Sequence, residues 1–83
     1  MFFVYVLQST QDKQLYVGYT TDLKQRLATH NKGSVTSTKS QRPWELLFAE
    51  IYINQQDALR REKYFKTTQG KGALKHMLRE TLQ

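Results

Sequence analysis

The sequence predicts a small α+β domain, a three-stranded antiparallel sheet flanked by helices in the order β-β-α-β-α-α. Three observations carry this. Two aromatic and β-branched runs, Phe2–Leu7 and Leu15–Thr20, are separated by a short polar stretch, so they pair as a hairpin. A third such run, Trp44–Ile53, stands apart from them. The remaining apolar residues recur at three- and four-residue spacings, the period of helices. With 83 residues there is room for one domain, spanning 1–83, and for two or three packed layers.

Each element has a local reason. Ser9 to Gln14 is polar, contains Asp12 and reads as the hairpin turn. Gly18, inside the second run, permits a close backbone approach or a bulge. Any of Thr20, Thr21 and Asp22 can cap the helix that follows, which runs to about Asn31 and stops at Lys32-Gly33. Gly33 to Pro43 is rich in Ser, Thr and Gly, carries Lys39 and Arg42 without an acid, and reads as a mobile basic loop. Pro43 fits at the start of the third strand. Asn54 caps a helix from about Gln55 to Lys66. Thr67 to Gly72, with Gly70 and Gly72, reads as a break. Ala73 to Leu82 reads as a last amphipathic helix with Leu74, Met77, Leu78 and Leu82 on one side.

Composition narrows the function classes. Thirteen Lys and Arg against seven Asp and Glu give a formal charge of +6. Such an excess favours a polyanionic partner, nucleic acid before an anionic membrane surface. The absence of cysteine excludes disulfides, thiolate zinc sites and a cysteine nucleophile. The apolar start, Met1 to Leu7, is too short for a secretory core, and no run reaches the length of a membrane span. The expectation is a soluble cytoplasmic protein without a membrane partner.

Polar groups on core-facing positions point to a site. Leu23 and Leu27 define the apolar stripe of the first helix, and Arg26 and His30, four apart, fall on the same side. Ala58 and Phe65 define the stripe of the second long helix, and Glu62 lies between them. Tyr5 and Tyr16 occupy the paired strands. Taken singly, a strand tyrosine is usually a core aromatic and a lone histidine a satisfied one. Inward polar groups cost stability unless they are paired or used, and five in so small a core suggest phosphodiester chemistry. In the last third, Lys71, Lys75 and Arg79 repeat every four residues, with Lys66 before them, as a basic stripe that can follow a phosphate backbone. Too few acids are present for a two-metal carboxylate site.

In this pattern the chain resembles the GIY-YIG nuclease superfamily, in its small stand-alone bacterial form. Phe3-Val4-Tyr5 stands where the first signature triplet belongs and Tyr16-Val17-Gly18 where the second does. Asp22 to Asn31 is similar to the family's first helix, with Arg26 and His30. Arg42-Pro43-Trp44 is typical of the small members, and Ala58 to Glu62 resembles the helix that carries a metal-binding Glu. Two departures are Phe3 in place of the first glycine and Leu74 where many members carry Asn. The resemblance implies an endonuclease that cuts DNA with one divalent metal, magnesium or manganese, held by Glu62. It implies that Tyr16, with Tyr5 beside it, helps deprotonate the attacking water. Arg26 would stabilise charge on the phosphate and His30 would position or relay a proton. Lys39, Arg42, Lys66, Lys71 and Lys75 are the candidate nucleic-acid contacts. The alternatives are a nucleic-acid-binding module without efficient cleavage, and an interaction protein whose tyrosines and Glu62 are structural.

Overall fold

The computed structural model describes all residues, 1–83. Strands β1 (Phe2–Ser9), β2 (Leu15–Thr20) and β3 (Trp44–Tyr52) form one antiparallel sheet in the order β2-β1-β3. The hairpin is the expected one, and the later strand adds to the free side of β1. The ladder between β1 and β3 shifts register between Val6 and Leu7, while that between β1 and β2 is unbroken. Gly18 therefore sits in regular sheet, not in a bulge.

Period-two alternation sends Val4 and Val6 to one face and Tyr5 and Leu7 to the other. On the first face Val4, Val6 and Val17 pack with Ala58, Phe65, Leu74 and Leu78. Those four come from α2 (Gln55–Phe65), α3 (Thr68–Met77) and the turn after it. Fully burying one such side chain contributes roughly 1.5–3 kcal/mol. On the second face Tyr5, Leu7 and Trp44 pack with Tyr16, Leu23 and Leu27, the last two from α1 (Leu23–Lys32). The sheet is thus covered on both sides, and the candidate site falls on the α1 side. No helix is long and apolar enough to cross a membrane.

Of the three possible caps, Asp22 is the one used; its carboxylate accepts the Gln25 N–H at 3.1 Å. Gly33, at φ 81°, ends α1 in the left-handed conformation and donates to His30 O at 3.2 Å. Asn54 caps α2 as expected, accepting from Gln56 N–H at 2.8 Å.

Two expectations are corrected. The stretch 67–72 is not a break: α3 begins at Thr68, with Thr67 Oγ1 accepting the Gly70 N–H at 3.0 Å. Gly70 is helical because α3 runs against the end of α2, where a Cβ would collide with the Tyr64 carbonyl and Phe65 Cα. A residue read as a breaker is here the contact that lets two helices meet. The helix consequently ends at Met77 instead of Leu82, and Met77 is exposed while Leu74 and Leu78 are buried. Arg79, beyond the helix end, donates to His76 O at 2.7 Å.

The segment 33–43 is tethered, not a free loop. It contains a short 3-10 turn, Lys39–Gln41. The Trp44 indole N–H donates to Thr38 O at 2.9 Å, and the Ser9 hydroxyl to Gln41 O at 2.6 Å. The Asn31 side chain grips both backbone polar groups of Trp44, at 2.7 and 3.1 Å. Buried partners claim the segment's carbonyls, which composition alone does not reveal.

Candidate active site

Tyr5 lies in the middle of the central strand, opposite Gly18 on β2. Arg26 and His30 descend onto it from consecutive turns of α1. The Tyr5 hydroxyl is 2.9 Å from His30 Nε2 and accepts from Arg26 Nε at 3.4 Å. His30 Nδ1 is 2.9 Å from Thr38 Oγ1. Tyr5, His30 and Thr38 are all buried.

This chain of bonds has a direction. A guanidinium can only donate, so the Tyr5 oxygen accepts from Arg26. The phenolic proton then has one acceptor within reach, His30 Nε2. Nδ1 therefore carries the imidazole proton and donates to Thr38, whose hydroxyl points on to Val35 O at 3.4 Å. Burial, with the Arg26 charge beside it, holds the His30 pKa below its usual value of 6.5, which agrees with a neutral ring. Burial raises the Tyr5 pKa, only partly opposed by the hydrogen bond from Arg26. The same bond raises the pKa of Arg26. Near neutral pH the set is a phenol, a neutral imidazole and a cation.

The two tyrosines share one face, as the hairpin predicts, but their hydroxyls differ. Tyr5 does not open to the surface; its oxygen is consumed by Arg26 and His30. Tyr16 is half-buried, its ring 4.9 Å from that of His30 and 6.3 Å from that of Tyr5. Its hydroxyl has no partner at ordinary hydrogen-bond geometry, but it stands close enough to Arg26 for a weaker hydrogen-bonding contact that favours the cation. The Tyr16 hydroxyl and the Arg26 guanidinium therefore adjoin each other.

Glu62 lies between the buried Ala58 and Phe65, as its spacing requires. Its side chain is 21% exposed, and Oε2 pairs with Lys66 Nζ at 2.9 Å while Oε1 has no partner. It makes no hydrogen bond to Tyr5, Tyr16, Arg26 or His30, but its charge acts on the Tyr5 hydroxyl. No group of three His, Asp or Glu that could hold a metal ion is present. A cation here would have Glu62 as its one carboxylate and take the rest from water and substrate. The partly buried carboxylate with a free oxygen fits that demand for a hard ion such as magnesium.

The basic candidates divide. Lys66, Lys71 and Lys75 line one cleft beside β2. Lys39 is exposed on the tethered segment and makes no ion pair. Arg42 donates to Lys32 O at 2.8 Å and packs over Gly33, so it also closes the end of α1. Sequence reasoning missed Thr38, the partner that fixes the imidazole; no spacing rule marks a threonine outside regular structure. It also passed over Lys13, another residue of that cleft. Arg61, next to Glu62, is structural: it holds Glu50 through two bonds at 2.9 and 3.2 Å and covers the Phe65 ring at 4.2 Å.

The sequence profile of the GIY-YIG catalytic domain matches residues 1–76, and the chain belongs to that family. It is similar to a UPF0213 protein of Pediococcus acidilactici, 43% identical over 79 residues, covering 92% of this chain and 80% of that one. It is 48% identical over 66 residues to the UPF0213 protein YsiG of Lactococcus lactis subsp. lactis, covering 78% of this chain and 62% of the relative. The solution NMR structure of a UPF0213 protein from Bacillus halodurans superposes with a TM-score of 0.57 at 28% identity, over 93% of this chain and 85% of that one.

Proposed function

We propose that this chain acts in the cytoplasm as a metal-dependent endonuclease on the phosphodiester bonds of DNA, branched or single-stranded forms included. The observation that carries the reading is the division of labour between the tyrosines. Arg26 and His30 hold Tyr5 as a phenol, which leaves the half-buried Tyr16 hydroxyl, beside the Arg26 guanidinium, as the proton acceptor or donor. Tyr16 takes the proton of the attacking water. Arg26 receives the charge that develops on the phosphate. His30 keeps Tyr5, and through it Arg26, in place. Magnesium or manganese at Glu62, when bound, supplies further positive charge against the phosphate oxygens. Lys39, Arg42, Lys66, Lys71 and Lys75 supply non-specific attraction to the backbone, so affinity falls steeply with salt.

One observation favours a second reading, a nucleic-acid-binding module that cleaves inefficiently. The ion pair with Lys66 occupies one oxygen of Glu62. The test is a panel of labelled single-stranded, duplex and branched DNAs incubated with the protein in magnesium at low salt. Cleavage of at least one member supports the endonuclease. Salt-sensitive binding with every member intact supports the module.

A further inference from the structure

Beside β2 the structure holds a cleft of about 520 Å³. Its apolar lining is the half-exposed Leu15 over the buried Val17, Phe65 and Leu74, with the lysine stems around them. Its rim is basic: Lys13, Lys66, Lys71 and Lys75. No acid lines it. Lys66 is held by Glu62, and the other three lysines have no ion-pair partner. The volume lies within the range of small-molecule sites. The cleft also adjoins the tyrosine site, because Tyr16 lines it and Lys66 carries Glu62.

We propose that this cleft is a subsite for one unpaired nucleotide of a nucleic-acid strand, its base against Leu15 and the lysine stems and its flanking phosphates among Lys13, Lys71 and Lys75. The inference rests on the nucleic-acid reading above and adds which form of strand is preferred. A duplex keeps its base faces stacked inside and presents only phosphates, which need no apolar concavity. An unpaired base offers a face that needs burial, and burying it beside cations is how single strands are gripped. Lys13 sits at φ 65° in the hairpin turn and lines the cleft from its open end.

The test separates this inference from the one beneath it. Amide NMR spectra are recorded with a ten-residue oligothymidylate in metal-free, low-salt buffer containing EDTA, so cleavage plays no part. The expected shifts lie at Lys13–Val17 and Lys71–Lys75. An abasic oligomer of equal length should bind at least about tenfold more weakly, because it has no base face to bury against the apolar lining. Lys13→Gly should weaken binding several-fold while leaving the urea midpoint equal or higher, and a Lys71→Gln/Lys75→Gln variant should weaken it further. Equal affinity for the abasic strand, shifts confined to the residues around Arg26, or the same shifts with polyglutamate would overturn the subsite and leave the nucleic-acid reading standing. No binding of any strand at low salt would overturn both.

Discussion

The ring of Tyr5 lies across Gly18, and a Cβ at position 18 would overlap the ring carbons and hydroxyl of Tyr5. The missing side chain on β2 is what lets a residue of β1 reach Arg26 and His30 on α1. The glycine of the second signature triplet thus serves the tyrosine of the first.

Gly18→Ala should therefore cost about 1–3 kcal/mol, the range for overpacking a tight site, and should lower cleavage with it. Gly72→Ala is the control. Gly72 is in α3 with open space around its Cα, so alanine should add roughly 0.5–1 kcal/mol. Urea unfolding of both variants checks the pair; equal effects would show that Tyr5 does not depend on Gly18.

His30 should make stability fall with acid. Its folded pKa is held below 6.5 by burial and by Arg26, so the unfolded chain takes up a proton that the folded protein resists. The stability is fully present above about pH 6.5 and declines as pH drops through the folded pKa. His30→Gln should flatten that decline. Urea midpoints at pH 7.5 and 5.5 for both proteins, with an imidazole titration by NMR, measure it. A His30 that titrates at or above 6.5 contradicts the direction.

Arg61→Ala should destabilise by about 1–3 kcal/mol, because it leaves the partly buried Glu50 carboxylate with only the Tyr52 hydroxyl and no cation, and uncovers Phe65. It should leave the metal requirement of cleavage unchanged. Thermal unfolding and a magnesium titration separate the two effects. A changed metal requirement would place Arg61 in the chemistry beside Glu62.

Much of this was legible in the sequence because the signals were local. Strand β2 spans the residues expected, β1 and β3 end within two, and α1 and α2 end within one. The stripes that put Arg26, His30 and Glu62 inward are consequences of helical period alone. What escaped depended on partners distant in sequence. Gly70 looks like a breaker until the end of α2 lies against it. Thr38 looks like loop until His30 and Trp44 bind it. The burial of the Tyr5 hydroxyl, against the exposure of Tyr16, depends on which strand is central, and a hairpin alone does not decide that.

In the proposed chemistry Glu62, Arg26 and Tyr16 act together in metal-dependent cleavage. The most direct measurement follows one labelled DNA substrate with wild type, Glu62→Ala, Arg26→Ala and Tyr16→Phe, in magnesium and in EDTA. Wild type should cut in magnesium alone. Glu62→Ala and Arg26→Ala should be inactive yet still bind DNA, because most of the basic residues remain, and Tyr16→Phe should lose about a hundredfold or more in rate. Cleavage that survives both Glu62→Ala and EDTA would contradict the account.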